Sequence, residues 1–198
     1  LNFNSDLFEK AYNNAWNVYN TFENKLHEIG KEVLKNLGET TAIIVLGRPY
    51  SSYDARTNLN LFSTFSRLGI YAIPQEFLDL SSHNIEDEYN NMYWGFGNKI
   101  LRATKYINND KRLFGLYLTS FSCGPDSFIL HFFSHDMNKT NRPFLELELD
   151  EHSAGAGVET RLLAFVDAIR NQKNVKHLAE KQVNIISKKA KNFRIRFS

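Results

Sequence analysis

Cysteine is nearly absent from the sequence: Cys123 is the only one among 198 residues. One thiol cannot form an internal disulfide, so the fold cannot depend on a disulfide framework, and the composition suits a reducing compartment. One thiol also cannot supply the several thiolates of a cysteine-based metal site. We therefore expect a cytoplasmic protein that relies on its hydrophobic core for stability.

Long hydrophobic runs are also absent. No apolar stretch approaches the roughly 20 residues that span a bilayer. The first residues are acidic, Asn-rich and aromatic, whereas a secretion signal would be basic and then apolar. We expect no membrane segment. The chain starts at Leu1 rather than Met, which suggests a piece of a longer protein.

An excess of either charge is lacking too, since the formal net charge is +2. The charges are nevertheless unevenly spread, because residues 172–198 contain eight Lys and Arg residues against the single acid Glu180. A basic end can bind nucleic acid or phosphates. A solvated helix or linker is the interpretation we prefer, so no nucleic-acid partner is predicted.

Aromatic side chains, by contrast, are abundant, with 16 Phe and 9 Tyr. Bulky rings must therefore fill much of the core. A length of 198 residues suits one domain with a sizeable core, or a domain with an appendage.

The first segment has the pattern of one long amphipathic helix. Apolar residues recur every three or four positions from Leu7 to Leu37, which places them on one stripe, and Gly38 is suited to end the helix. About 30 helical residues extend roughly 45 Å, enough to span the domain or reach a neighbouring one. We expect residues 1–38 to pack on or lead into an α/β domain at 39–171, followed by a basic extension at 172–198.

Short apolar segments alternate with helical patterns after Gly38. The first is continuously apolar, as in a parallel strand covered on both faces, and the last alternates, which predicts an edge strand. This order predicts right-handed crossovers and a three-layer α/β fold, flavodoxin- or Rossmann-like, with about four parallel strands ordered 2-1-3-4. The predicted strands lie at 41–46, 70–73 (ended by Pro74), 113–119 and 144–149.

The segments between these strands are predicted from the same periodicity. Helical spacing runs from Leu59 to Leu68, from Met92 to Ile107, and from Phe128 onwards, with a last helix around 162–169. Residues 75–88 have the composition of a polar, acidic connection.

Ligands of an open parallel sheet gather beyond the carboxyl ends of its strands. Three loops are predicted there, at 47–54, 120–127 and 150–161. Cys123 falls between a strand and the start of a helix, where Pro125 suits the first turn. Unpaired N–H groups and the helix dipole favour a thiolate there, and Asp126 can cap the helix. The alternative is a buried, inert cysteine.

The flanking loops contain further candidates for binding an anion. Arg48 with Tyr50 could hold a phosphate or carboxylate, and the turn containing Gly155 and Gly157 could do so through backbone N–H groups. Ordinary turn chemistry explains the glycines equally well. Glu148 belongs to a group of potential acid–base residues, for which a solvated strand end is the simpler explanation; the others are Asp150, Glu151 and His152.

A zinc site is a weaker possibility. His131 and His135 share a helical face four residues apart, which is a spacing that zinc sites use. No second Cys or Glu completes a ligand set, and the intervening rings at Phe132 and Phe133 favour packing. The sequence contains no nucleophile–base pair, Walker loop or dinucleotide fingerprint, so no catalytic residue is assigned.

Several blocks of these loops resemble one known family. They are Gly-Arg-Pro-Tyr at 47–50 with Asp54 and Asn58, Asn-Met-Tyr-Trp at 91–94, Ser-Cys-Gly-Pro-Asp-Ser-Phe at 122–128, and Glu-Leu-Asp-Glu-His-Ser at 148–153. In this order and spacing the chain resembles, over about residues 40–170, the large activator proteins related to 2-hydroxyacyl-CoA dehydratases. These proteins are also called CoA-substrate-specific enzyme activases.

The resemblance implies a fragment of a longer activator. Such proteins join ATP-hydrolysing modules to a region similar to the iron–sulfur subunits of the dehydratase, bind a [4Fe–4S] cluster and ATP, and pass one low-potential electron to a dehydratase-type partner. This chain resembles the dehydratase-like region, in which Cys123 corresponds to a cluster ligand. The other candidate cofactor-binding residues are Arg48, Tyr50, Ser122, Gly124, Asp126, Gly155 and Gly157.

Because clusters normally need about four thiolates, the resemblance implies a cluster in the parent protein and none on this segment alone. The segment is then not catalytic by itself, and its partners are the ATPase modules and the dehydratase. Two alternatives remain open. One is a flavodoxin-like module that binds a phosphorylated small molecule such as an acyl-CoA through Arg48, the 155–157 turn and the basic tail. The other is an interaction domain that docks through the first helix and the tail.

Overall fold

A computed structural model describes residues 4–121, 123–150 and 155–172 of the chain. Their centre is a four-stranded parallel sheet in the order β2-β1-β3-β4, which confirms the predicted topology. The strands are β1 (Ala42–Leu46), β2 (Tyr71–Pro74), β3 (Leu113–Ser120) and β4 (Leu145–Leu149). The expected division at residue 171 lies beside the last described residue and stays a prediction.

Burial follows the position of each strand in the sheet. Every residue of the central strand β1 is fully buried, as its unbroken apolar sequence predicted. The edge strands β2 and β4 are only partly covered, and their exposed residues include Tyr71 and Glu148. The alternating pattern of β4 was therefore a correct indication of an edge strand.

Helices cover both faces of the sheet. One layer contains α1 (Ser5–Asn36), α4 (Gly95–Asn109) and α5 (Gly124–Asn138), and the other contains α3 (Leu61–Arg67) and α6 at residues 155–172. The short helix α2 (Pro49–Ser52) lies in the loop that follows β1. Successive β1 residues point to opposite layers: Ile44 packs in the core with Ile100 and Phe133, and Ile43 packs in the core with Phe65 and Val166. The three-layer prediction is confirmed.

The long helix α1 contacts the domain through its C-terminal part. Its start is capped by Asn4, whose side-chain oxygen accepts a hydrogen bond from Leu7 N at 3.0 Å. Gly30 is its one buried residue, and a Cβ there would lie 1.8 Å from the carbonyl oxygen of Phe77. Only glycine permits this close approach. An ion pair between Lys31 and Asp79, at 2.9 Å, holds the same region.

Two predicted helix boundaries were wrong. α4 begins at Gly95 rather than at Met92, because Trp94 has an extended backbone and caps the helix. α3 begins at Leu61 rather than at Leu59, because Leu59 and Asn60 both adopt positive φ angles. Apolar spacing continued through both turns, although the backbone there is not helical.

Two further predictions need correction. Pro74 is the last residue of β2 rather than a residue after it, which an edge strand tolerates. The connection at 75–88 is not purely polar in its packing. It includes the 3₁₀ turn Gln75–Phe77 and buries Leu78, Leu80 and Ile85. Arg102 stabilises this segment, because its guanidinium donates hydrogen bonds to the carbonyl oxygens of Leu80 and His83.

No helix in the described part of the chain is long and apolar enough to cross a membrane.

Candidate functional site

The loop that follows β1 is pressed against β3 by a glycine. Gly47 has a φ of +150°, and a Cβ there would lie 2.7 Å from the carbonyl oxygen of Leu118. Gln75, which follows β2, donates from Nε2 to Gly47 O at 2.9 Å. These contacts direct the next residue, Arg48, across the carboxyl ends of the strands.

Arg48 joins two sequence-predicted residues of the β3 loop. Its Nη2 atom lies 2.6 Å from Asp126 Oδ2 and 2.7 Å from Cys123 Sγ. The ion pair is nearly enclosed, since the Arg48 side chain is 17% exposed and that of Asp126 is 3% exposed. Cys123 is half-buried and is not walled off from the site. The predicted juxtaposition of the 47–54 and 120–127 loops is therefore correct for these three residues.

The start of α5 fixes the position of the thiol. Cys123 has an extended backbone and is the N-cap residue, with Pro125 in the first turn as expected. Its carbonyl oxygen accepts hydrogen bonds from the backbone N and the hydroxyl of Ser127 at 2.9 and 3.0 Å. The sulfur thus lies at the positive end of the helix dipole, beside a guanidinium.

The charges at this site reinforce one another. Burial disfavours the charged form of Arg48, but the hydrogen bond and negative charge of Asp126 raise the Arg48 pKa above its ordinary value. Tyr117 lies beneath the pair, and its pKa is raised by burial and then by the Asp126 charge. The Arg48 guanidinium also covers the Tyr50 ring, at 4.9 Å from its centroid. Arg48 is therefore a cation held in place from several sides.

Unpartnered polar atoms concentrate at this edge of the sheet. Among the described residues, four buried side-chain atoms have no hydrogen-bond partner: Arg48 Nε, Asn58 Oδ1, Gln75 Oε1 and Asp126 Oδ1. Asn58 is connected to Arg48 through Ser52, because Asn58 Nδ2 donates to Ser52 O at 2.7 Å and Ser52 N donates to Arg48 O at 3.0 Å. Buried polar groups are normally satisfied, so an edge that leaves four unsatisfied is where water or a polar ligand is expected.

Gln75 and Glu76 also belong to this edge, although their sequence did not predict it. Glu76 is buried, and its carboxylate accepts hydrogen bonds from the hydroxyl of Tyr53 and from Gln75 Nε2. Burial and then the Glu76 charge raise the pKa of Tyr53. The available signal was their position directly after a predicted parallel strand, although their composition suggested a connection.

A groove of about 680 Å³ opens at the start of α5. It begins at Gly124 and Pro125, next to the thiol, and its walls are largely aromatic. The rings and apolar side chains that line it are Tyr89, Met92, Tyr93, Trp94, Phe128 and Phe132. Its volume is in the range of small-molecule sites.

Several predicted residues lie elsewhere. Gly155 lines a groove of about 230 Å³ with Asn60 and Arg67, and Arg48 is not among the residues lining it. Gly157 is in the first turn of α6 and has open space around it. Ser122 lies outside the described residues, so its predicted role stays untested.

The acid–base and zinc candidates that the structure describes lie at the surface. Glu148 and Asp150 are exposed at the end of β4, and Glu151 and His152 lie outside the described residues. His131 and His135 are both exposed on α5. Within residues 4–121, 123–150 and 155–172, no three His, Cys, Asp or Glu side chains are grouped to hold a metal ion.

The first part of the chain matches a known protein family. Residues 1–78 match the family described as "CoA enzyme activase uncharacterised domain". No curated protein and no solved structure gives a significant match. The matched region contains α1, β1, β2 and the Arg48 loop, and covers less than half of the 198 residues. This match agrees with the family that the loop motifs resemble, and residues 1–78 fit a CoA-substrate activase family.

Proposed function

We propose that this chain is part of a 2-hydroxyacyl-CoA dehydratase activator and contributes one cysteine ligand, Cys123, to its iron–sulfur electron-transfer region. In this proposal the parent protein uses ATP hydrolysis to drive one-electron reduction of a dehydratase-type partner in the cytoplasm. The family match of residues 1–78 supports the activase assignment. The placement of Cys123 carries the assignment of its role.

That placement has the features of a ligand rather than a packing residue. The thiol is half-buried at the carboxyl edge of the sheet, at a helix N-terminus, with Arg48 Nη2 2.7 Å from its sulfur. Positive groups stabilise a thiolate, which is the form that binds metals. Hydrogen bonds to a ligating sulfur also tune the reduction potential of a cluster, which supplies single-electron transfer when bound.

The described residues fit one ligand and not a complete cluster site. Clusters are normally held by about four thiolates, whereas the chain has one cysteine and the described part has no cluster of metal-ligating side chains. The proposal therefore places the other ligands outside this chain. Within the chain, Arg48 orients the sulfur and Asp126 orients Arg48.

Reconstitution of the parent activator with iron and sulfide tests the role of Cys123. We expect Cys123→Ser to lower the iron and sulfide content per protein and the cluster absorbance. The control is Ser63→Ala, at an exposed position of α3 on the other face of the sheet, which should leave both unchanged. Equal cluster content in wild type and Cys123→Ser would refute the assignment.

A second candidate function is supported by the aromatic groove at Gly124. Its volume of about 680 Å³ and its apolar walls suit the acyl and pantetheine parts of an acyl-CoA, and Arg48 lies at the neighbouring loop. Calorimetry with coenzyme A and butyryl-CoA tests this function. Binding that is weakened by the polar substitution Phe128→Gln, which removes an aromatic ring from the groove wall, would support it, and the absence of binding at millimolar ligand would refute it.

A further inference from the structure

The apolar face that seats α1 on the domain continues beyond the domain, where the described residues of the domain do not cover it. Gly30, within this helix, and Leu37, its C-cap residue, are buried. The large side chains in the first half of the helix are about half exposed. The exposed fractions are 56% for Phe8, 59% for Tyr12, 47% for Tyr19 and 58% for Phe22. Monomeric proteins rarely expose a contiguous apolar surface of this kind without a partner.

The uncovered face has a strict seven-residue repeat. Apolar residues alternate at spacings of four and three along Phe8, Tyr12, Ala15, Tyr19, Phe22, Leu26, Ile29 and Val33. This is the seam of a left-handed coiled coil, in which such residues insert between those of a facing helix. Exposed Trp16 and Val18 widen the seam, and the opposite side of the helix is polar, with Asn13, Asn14, Asn17, Asn20 and Asn24.

We propose that a second copy of this chain covers this seam, so that two α1 helices pair through their N-terminal halves. A heptad seam is self-complementary, as a two-fold interface requires. Beyond Phe8, six large apolar residues on or beside the seam are exposed: Tyr12, Trp16, Val18, Tyr19, Phe22 and Ile29. At about 100 Å² each, half the area of a large side chain, they offer about 600 Å² per copy and about 1,200 Å² in total, which is the lower end of specific, stable interfaces.

The pair is antiparallel because of the position of the domain. The domain contacts α1 at Gly30, which lies beside the seam, and at Val33, which lies on it. A parallel partner helix would carry its own domain into the same space. An antiparallel partner places the two domains at opposite ends, with the two-fold axis near Ala15.

Sedimentation of the 198-residue chain tests the pairing. We expect a dimer of about twice the 23.0 kDa chain mass at micromolar concentration. Tyr12→Glu and Phe22→Glu, on the seam, should each give a monomer with helical circular dichroism retained. Asn13→Glu adds the same charge on the polar side and should leave the dimer intact. A monomeric wild type up to about 100 µM would overturn the proposal and assign the seam to another partner.

Spin labels test the orientation of the two helices. A label at Ser5→Cys in a Cys123→Ser background should give a separation of about 30 Å between copies, from two stretches of ten residues at 1.5 Å each. A separation of about 10–15 Å would show a parallel pair and overturn the antiparallel arrangement.

Discussion

The guanidinium of Arg48 lies 2.6 Å from the carboxylate of Asp126, although 78 residues separate them in the chain. Arg48 follows β1 and Asp126 lies in the first turn of α5, so the pair joins the segments that follow β1 and β3 across the carboxyl edge of the sheet. The same Arg48 nitrogen lies 2.7 Å from Cys123 Sγ. The Arg48–Asp126 ion pair therefore both joins these two segments and holds a guanidinium nitrogen beside the thiol of Cys123.

Replacement of Arg48 by Met should strongly destabilise the protein. It leaves the Asp126 carboxylate, 3% exposed, without its cation. Loss of one partner of a buried ion pair costs about 3–5 kcal/mol. Urea unfolding followed by circular dichroism measures the loss. Arg67→Met, which breaks an exposed pair with Glu159, should cost less than about 1 kcal/mol and is the matched control.

The double replacement Arg48→Met with Asp126→Leu should be less damaging than Arg48→Met alone, because no buried charge is then left without a partner. If the double variant were the less stable of the two, the stability would not come from pairing of these charges.

Replacement of Gly30 by Ala should loosen α1 from the domain. The added Cβ would lie 1.8 Å from Phe77 O, so the helix must move. Overpacking of this kind typically costs about 1–3 kcal/mol. Thermal unfolding measures the change. Gly95→Ala, at the start of α4 with nothing within 4 Å of the new Cβ, should change the stability by no more than about 0.5 kcal/mol. Equal effects of the two substitutions would contradict the close contact.

Asp79 should make stability depend on acid pH. A hydrogen bond from the Ser81 hydroxyl and then one from Lys31 hold the pKa of Asp79 well below its ordinary value. A lowered pKa in the folded state stabilises the fold above about pH 4, and this stabilisation is lost as the pH falls toward the folded-state value. Asp79→Asn should therefore lower the Tm at neutral pH, and the difference from wild type should shrink below about pH 4.

Thermal melts between about pH 2 and 7 measure this dependence. Asp87→Asn, at an exposed position of the same connection, is the control and should follow the wild-type curve. A constant difference between Asp79→Asn and wild type across the pH range would show that the carboxylate charge is not the cause.

Tyr53→Phe should destabilise the edge of the sheet beside β2. The substitution removes the hydroxyl that donates to the buried Glu76 carboxylate. A buried acceptor that loses its donor costs about 1–3 kcal/mol. Chemical unfolding measures the effect. Tyr93→Phe, at a ring that is 86% exposed, should be close to neutral, and an equal loss there would argue against a special role of the Tyr53 hydroxyl.

The fold class followed from local pattern because each pattern has one dominant physical cause. The unbroken apolar run at Ala42–Leu46 required cover on both faces, and the structure buries all five residues. The alternation of Leu and Glu at Leu145–Leu149 predicted a strand with one solvent-exposed face, and β4 lies at the edge of the sheet. Predictions failed at Met92 and Leu59, where apolar spacing persists but Trp94 and Asn60 cap the helices.

The candidate site was only partly predictable. Strand ends and motif blocks identified Arg48, Cys123 and Asp126, because a parallel sheet brings all its carboxyl ends to one edge. Gly155 belongs to the same class of loop, yet it lines a separate groove. Gln75 and Glu76 also lie at this edge, although the polar composition of their segment predicted only a connection. Loop position alone does not specify which way a side chain points.

Periodicity and the order of the segments were sufficient to define four parallel strands, their order and the long first helix, because burial of apolar side chains acts on every residue of these elements. The contact of Arg48 with Cys123 and Asp126, the approach of Gly30 to Phe77 and the uncovered seam of α1 arose only in the folded chain. Each depends on where separate elements come to lie in space, and a distance between residues 78 positions apart is set by packing of the whole domain rather than by any local pattern.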